Sequence, residues 1–381
     1  MKKIKILLTG GGSGGHIYPL AAVARELQKA GAVRGYEADI RYFGDPGVHR
    51  FALEAVQVRI TRITASKWRR YVDLQNILDI FKFAFSVLQG LWKVYWFMPH
   101  VCFSKGGPGS FAVIAVCRFY AIPTVIHESD AALGLANKLA ARYARLVELG
   151  FASAQEQLDE KVKAHVVGNP VRPEITAVRE SIADAPYAKA EFGFSPQEPV
   201  VLFIGGSQGA EALNGFVLEN IRALTDHVQV LHQVGIQNFA AYRQEFDFAN
   251  PLPKETRYRY AFVPYFSNNI AKAYQASDIV VARSSAGVIA EIAALAKPSL
   301  LVPIPGSAND HQQYNAYEYA LSGAAVVIEQ ENLLVSIVIN EITHILGDQT
   351  RYLAMADAAQ KFYNPESAQL IASDIFTIAG A

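Results

Sequence analysis

Twice in this chain a short apolar run stops at a cluster of glycines and gives way to a helical pattern. The first run, Ile4 to Thr9, meets Gly10-Gly11-Gly12-Ser13-Gly14-Gly15-His16, and a helical pattern follows from Pro19 to Ala30. The second, Val200 to Ile204, meets Gly205-Gly206-Ser207-Gln208-Gly209-Ala210 before an Ala-, Leu- and Asn-rich helix. Short apolar runs bounded by turn signals read as strands buried on both faces, and strands alternating with helices form parallel sheets. Each glycine turn then lies between a strand and a helix N-terminus, where free N–H groups and the helix dipole receive a phosphate. Glycines that merely permit a tight turn are the bland alternative for either one. Two such turns in one chain suggest a diphosphate-containing ligand held by one domain and a partner substrate held by the other.

The remaining runs fit that plan. In the first half, Asp39 to Phe43, Val101 to Ser104, Pro123 to His127 and Leu146 to Leu149 alternate with helical stretches such as Phe111 to Tyr120 and Leu135 to Tyr143. In the second, Val228 to His232, Ile279 to Ala282, Ser299 to Val302 and Ala325 to Ile328 repeat the architecture. With 381 residues, 51% of them hydrophobic, the chain exceeds one ordinary core and suits two domains of roughly 150 to 200 residues. Gly168-Asn169-Pro170 and the polar, irregular stretch to Glu198 mark the linker. Two open α/β sheets predict a cleft at their carboxyl ends.

Composition removes several classes. Lys plus Arg and Asp plus Glu are both 35, so no global charge draws the chain to nucleic acid. Cys102 and Cys117 are the only cysteines, which excludes a disulfide framework and a four-cysteine zinc site and fits a reducing compartment. The N-terminus has glycines where a signal peptide needs an apolar core, so it reads as a first strand. With no D-x-D motif and no His/Cys cluster at metal-ligand spacing, the expectation is no metal and no cofactor, with diphosphate charge met by helix N-termini and hydrogen-bond donors.

Individual residues sharpen the picture. Gly10 to Gly15 also satisfy G-x-G-x-x-G, with Asp45 after the second strand as a dinucleotide site would want. Glu291 has no charge partner at three or four residues in its helix, so it either faces the vicinal hydroxyls of a ribose or is a solvated helix-face residue. The loop from Pro303 carries Gln312 and Gln313, amides suited to sugar hydroxyls or to capping the next helix. His127-Glu128-Ser129-Asp130 follows a strand directly, its acids pointing to the ligand end, with an N-cap at Ser129 or Asp130 as the alternative. Lys67 to His100 mixes Trp68, Ile77, Phe81, Phe85, Trp92 and Trp96 with basic residues. Its longest uncharged run, Phe83 to Trp92, is about half of what crosses a bilayer, so it reads as a surface lying on anionic lipid or as a buried helix pair.

Taken in order, GGGSGGHIYP, HESDAALGLANK, VGNPVR, VLFIGGSQGAEALN, HQVG, ARSSAGVIAEIAAL and DHQQYNA resemble the MurG family over nearly the whole chain. The resemblance implies a GT-B fold of two Rossmann-like domains: residues 1–168 binding acceptor and membrane, 169–364 binding UDP-N-acetylglucosamine, and 365–381 crossing back to the first. It implies an inverting, metal-independent transfer of N-acetylglucosamine from UDP to undecaprenyl-diphosphoryl-N-acetylmuramyl-pentapeptide in peptidoglycan synthesis. The place of action would be the cytoplasmic face of the inner membrane, beside other cell-wall synthesis proteins. By motif, Ser207, Gln208 and Gly209 would contact phosphate, Ala286 and Gly287 the diphosphate through backbone, Glu291 the ribose, and Gln312 and Gln313 the sugar. Ser267 completes that set, and Arg172 would approach the nucleotide. Ser13, Gly14, Gly15 and His16 would face the acceptor diphosphate, with Asp130 and Asn137 beside them. His16 is favoured as the base that takes the hydroxyl proton, with Asp130 and Glu128 as competitors.

The chain departs from the family pattern at Ser129-Asp130, where a carboxylate replaces an amide, at Pro108, where an aromatic is commoner, and at Ser285 and Gly287. The rivals are a UDP-N-acetylglucosamine 2-epimerase, an NAD-dependent dehydrogenase built on Gly10 to Gly15 and Asp45, and a catalytically silent lipid or nucleotide-sugar binder.

Overall fold

The computed structural model describes residues 2–64, 75–107, 109–179, 184–205, 210–249, 252–254, 256–266 and 269–381, leaving aside the side chains of 75–80. The chain divides into two compact units, Met1–Arg172 with Asn364–Ala381, and Pro173–Tyr363.

In the first unit the apolar runs become β1 (Lys2–Thr9), β2 (Tyr36–Phe43), β3 (Arg59–Thr61), β4 (Val101–Ser104), β5 (Thr124–Glu128), β6 (Leu146–Leu149) and β7 (Ala164–Val166). They pair in parallel in the order β3-β2-β1-β4-β5-β6-β7. The helices are α1 (Gly14–Val33), α2 (Arg50–Ala55), α3 (Gln75–Phe97), α4 (Ser110–Phe119) and α5 (Leu135–Ala141). α1 starts at Gly14, earlier than the helical pattern suggests, because Ile17, Pro19 and Leu20 are buried against the sheet and packing overrides the weak propensity of glycine and proline.

The second unit repeats the pattern. It begins with two short helices, α6 (Pro173–Ala177) and α7 (Ala185–Glu191), so the stretch read as irregular linker carries helical turns. Then come β8 (Val200–Ile204), α8 (Glu211–Thr225), β9 (Gln229–Gln233), α9 (Phe239–Ala249), β10 (Tyr260–Val263) and α10 (Ile270–Ala276). β11 (Ile279–Ala282), α11 (Ala286–Ala294), β12 (Ser299–Leu301), α12 (His311–Leu321), β13 (Ala325–Val327), α13 (Val335–Gly347) and α14 (Gln349–Phe362) complete it. Its parallel sheet runs β10-β9-β8-β11-β12-β13. Three strands have no counterpart in the sequence reading: β3, β7 and β10. All three are edge strands, paired on one side only; β3 and β7 carry polar residues that such a position tolerates, whereas β10, Tyr260-Ala261-Phe262-Val263, is a short apolar run that the sequence reading passed over.

The last helix, α15 (Ser367–Ile378), belongs to the first unit, where Ile371, Ile375 and Phe376 join the core with Leu8, Leu27 and Phe103. Ser367 Oγ donates to the Gly168 carbonyl at 2.9 Å and Asn364 Nδ2 to the Val167 carbonyl at 2.9 Å, fixing where the helix begins. In each sheet the strand order reverses beside the first strand, between β1 and β4 and between β8 and β11. The glycine turn after β1 and the end of β8 therefore lie at the switch points where open α/β sheets bind ligands.

Candidate active site

In the first unit the glycine turn after β1 and the loop after β4 are tied together. Gly11 N–H donates to the Gly106 carbonyl at 2.9 Å, and Lys105 N–H to the Thr9 carbonyl at 2.9 Å. Ser13 precedes α1 in extended conformation but makes no side-chain cap, and no acid lies in the first turn. The leading amides of α1, from Gly14 and Gly15, have no preceding turn to bond to and are positioned for an anion. Ser13 Oγ instead bonds His16 Nδ1 at 2.7 Å. The other face of the imidazole lies against Gly107, whose φ is +86° and where an added Cβ would stand 2.8 Å from His16 Nε2. Although His16 keeps some surface exposure, enclosure of its ring, with nearby Lys105 adding to the effect, draws its pKa down to about 4; Asp130 works in the opposite direction.

His127 to Asp130 form the next wall. Glu128 is buried and acts as an acceptor hub: Oε2 receives Gly134 N–H and Asn137 Nδ2, each at 2.9 Å, and Oε1 receives Asp130 N–H at 3.2 Å. Burial and the Asp130 carboxylate raise its pKa, while those three donors oppose the rise. Asn137 in turn sets the width of the neighbouring loop, since a Cβ on Gly106, at φ +75°, would lie 2.6 Å from its Nδ2. Arg172 stacks its guanidinium 4.3 Å from the centre of the Tyr18 ring, which itself packs on Gly14. The structure thus keeps Arg172 within the first unit, beside the first turns of α1.

One residue at the centre of this cluster was missed by sequence reasoning. Lys105 is 2% exposed, with Nζ 2.5 Å from His127 Nδ1 and a hydrogen bond to Ser129 Oγ. Burial holds its pKa down at about 7 against the pull of Glu128 and Asp130. His127, neutral through burial and the nearby Lys105, donates Nε2–H to the Gly168 carbonyl at 2.9 Å, which leaves Nδ1 to accept from the lysine. A lysine directly between a buried strand and a glycine pair is the signal that could have found it.

In the second unit β8 ends at Ile204 before the glycine-rich sequence; Ser207, Gln208 and Gly209 there, and Ser267 after β10, lie outside the described residues. The neighbouring α11 repeats the anion-ready geometry: Ser285 makes no cap, no acid follows, and Ala286 and Gly287 supply the leading amides. An added Cβ at Gly287 would meet nothing within 4 Å, so the helix start is open. Glu291, one turn on, is half-buried and accepts from Tyr274 Oη at 3.0 Å, a partner distant in sequence. Gln312 is buried, and its Oε1 receives Ile304 N–H at 3.2 Å, bracing the loop after β12. Gln313 is exposed and donates to Glu329 at 3.2 Å. Arg283, also passed over in sequence, is buried and ties β11 to the β12 loop by donating to the carbonyls of Val302 at 3.0 Å and Pro303 at 3.2 Å. Asp45 is taken up locally, accepting Gly47 N–H at 3.1 Å.

From Gln75 to Phe97 the aromatic stretch is one long helix, α3, and its aromatic residues share a face. Phe81, Phe85, Leu88, Trp92, Tyr95 and Trp96 are exposed at helical spacing, and the Trp92, Trp96 and Tyr95 rings meet edge to face. Trp68 and the Ile77 side chain lie outside the described residues. Among those residues no helix is long and apolar enough to cross a membrane.

Two Rossmann-like units, each with its strand order reversing beside the first strand, define the GT-B class. A MurG crystal structure from Acinetobacter baumannii superposes with a TM-score of 0.69 at 23% identity, covering 98% of this chain and 99% of that one. A UDP-N-acetylglucosamine 2-epimerase from Neisseria meningitidis superposes at 0.68 with 14% identity, covering 98% and 100%, so fold alone does not separate the two. Sequence does. The glycosyltransferase family 28 N-terminal domain matches residues 6–148 and the family's C-terminal domain residues 200–371. Relatives named UDP-N-acetylglucosamine–N-acetylmuramyl-(pentapeptide) pyrophosphoryl-undecaprenol N-acetylglucosamine transferase are 31% identical in Lawsonia intracellularis, over 100% of this chain and 99% of the relative, and 32% in Clostridium botulinum, over 92% and 93%. This chain belongs to the MurG family of glycosyltransferase family 28.

Proposed function

We propose that the chain transfers N-acetylglucosamine from UDP-N-acetylglucosamine to the 4-hydroxyl of undecaprenyl-diphosphoryl-N-acetylmuramyl-pentapeptide, converting lipid I to lipid II in peptidoglycan synthesis. The observation that carries this reading is end-to-end identity of 31% with a relative of that name, since it spans both units and every motif. The second unit takes the donor: the turn after β8 and the start of α11 receive the diphosphate, Glu291 the ribose, and Gln312 and Gln313 the sugar. The first unit takes the acceptor. Its diphosphate meets the amides of Gly14 and Gly15, with Lys105 and Arg172 supplying positive charge without a metal.

The muramyl oxygen attacks the anomeric carbon as the bond to UDP breaks, inverting that centre. His16 takes the hydroxyl proton. Its Nδ1–H donates to Ser13 Oγ, which leaves the Nε2 lone pair free, and the imidazole stays neutral at neutral pH. Arriving diphosphate charge raises its basicity, as Asp130 already does. Glu128 orients the Asp130 loop and Asn137, a positioning role that its three donors favour over proton transfer. The exposed α3 stripe supports peripheral docking on an anionic membrane surface, at the inner face where a lipid-linked acceptor resides.

The test is UDP release in detergent with EDTA, with and without a lipid-diphosphate-linked muramyl-pentapeptide. Acceptor-dependent release supports the reading. Appearance of the 2-epimer of the donor without acceptor would overturn it in favour of an epimerase, and donor binding with no turnover would favour a silent binder.

A further inference from the structure

Strand register brings together three ionisable groups that the proposed transfer does not use. Across the edge of the first sheet, Glu148 of β6 pairs with His165 of β7, so their side chains stand next to each other on one face of the sheet. α15 lays Asp374 over them, with Asp374 Oδ2 3.1 Å from His165 Nδ1. One donor atom from each of Glu148, His165 and Asp374 lies within 4.8 Å of the others.

Glu148 is the anomaly. It is 0% exposed, and neither carboxylate oxygen has a hydrogen-bond partner among the described residues. The group that faces it is a second carboxylate, Asp374, and burial together with that neighbour raises its pKa to about 9. Two apposed carboxylates need a shared proton or a cation between them, and an unpaired buried charge costs several kcal/mol. A proton shared by the carboxylates leaves His165 in contact with Asp374 alone. A cation would use all three groups: donor atoms about 2.1 Å from a tetrahedral ion sit about 3.4 Å apart, near the observed His165–Asp374 separation. His165 and Asp374 retain solvent exposure, which gives an ion its access route and leaves room for a water ligand.

We propose that Glu148, His165 and Asp374 form a binding site for a divalent transition-metal ion of the zinc class that fastens the returning helix α15 to the edge of the first sheet. One imidazole and two carboxylates suit Zn²⁺, and fewer than four protein ligands leave a position for water. The role is structural: the ion would bridge β6, β7 and a helix that follows them by some two hundred residues of chain.

The test uses the full chain, stripped by chelation and titrated with Zn²⁺ by calorimetry and thermal unfolding. Expected are saturation at one equivalent, proton release on binding as the Glu148 carboxyl ionises, and a higher unfolding temperature. Glu148→Gln, which keeps shape and can still donate to Asp374, is expected to weaken Zn²⁺ binding at least tenfold and to remove the thermal shift. Co²⁺ added to the unsubstituted chain gives a readout that does not depend on a variant folding: intense visible d–d bands are expected from a site of low coordination number. No saturable binding and no such bands, or equal affinity in Glu148→Gln, would overturn the proposal and leave the carboxyl pair sharing a proton.

Discussion

Gly107→Ala probes the proposed base without touching it. At φ +86° an alanine costs about 1–2 kcal/mol of backbone strain, and its Cβ would stand 2.8 Å from His16 Nε2 and 3.0 Å from Gly11 N. The Gly11 backbone is pinned to the Gly106 carbonyl, so the imidazole is the part that yields. Restoring an ordinary contact of about 3.5 Å moves the ring by roughly 0.7 Å. Because misplacement by 1 Å costs on the order of 10²-fold in rate, kcat is expected to fall roughly ten- to a hundredfold. The assay is acceptor-dependent UDP release at saturating substrates, with urea unfolding as the control for folding. KM for UDP-N-acetylglucosamine should stay within about twofold, since the proposed donor residues belong to the second unit. In a His16→Ala background, itself expected to lose about 10²- to 10⁴-fold, the alanine should add almost nothing, since the two changes act through one group. A folded Gly107→Ala enzyme with kcat within threefold of the parent would refute the reasoning and remove His16 from the reacting centre.

Glu291→Ala should weaken UDP-N-acetylglucosamine binding roughly ten- to a hundredfold by calorimetry, the worth of a hydrogen bond to a charged group. Unchanged affinity with lowered stability would leave Glu291 with a structural role as acceptor for Tyr274. Replacing Trp92 and Trp96 by serine should lower binding to anionic vesicles in sedimentation by on the order of tenfold or more, and equal binding would dismiss the α3 stripe as the docking face. For Lys105, an acceptor diphosphate raises a free-state pKa of about 7, so acceptor affinity is full below that pH and falls up to about tenfold per unit above it. KM against pH checks this, and Lys105→Met should flatten the profile. In the second unit, burial depresses the pKa of His232 to about 3, so its contribution to stability is present above its unfolded value of 6.5 and is lost as pH falls through that window, at up to about 1.4 kcal/mol per unit. Urea midpoints measured from pH 7 to 4 should fall less steeply for His232→Gln.

Much of the architecture was legible because a strand buried on both faces must be apolar throughout. Val101–Ser104, Leu146–Leu149, Val200–Ile204 and Ile279–Ala282 are observed with the bounds the sequence suggests. The short edge strands were not legible, since Arg59-Ile60-Thr61 and Ala164-His165-Val166 carry polar residues that a one-sided position tolerates. Glu128 was visible because it interrupts an apolar pattern just where a strand stops, and His16 because it closes the glycine motif that resembles the family's. What each one touches was not visible. The sequence offers Glu291 no charged residue three or four places away, and the packing of α10 against the second sheet brings Tyr274 to it.

Register explains the larger omission. Within a strand the sequence records which side chains share a face, but it does not record which strand lies alongside. His127, Glu148 and His165 are consecutive partners across β5, β6 and β7, and Lys105 follows β4 directly, so one face carries a row of polar groups toward α15. Lys105 is the consequential member. A cation in that low-dielectric setting disfavours protonation of both His16 and His127, while Glu128 and Asp130 limit the loss of its own charge. The first unit therefore pairs a neutral imidazole, able to accept a proton, with a partly charged amine, able to meet an anion. Removing the amine should make His16 more basic while depriving the diphosphate of its counter-charge. The two effects have opposite signs on proton transfer and on acceptor binding, which makes the separation of kcat from KM in Lys105 variants the informative quantity.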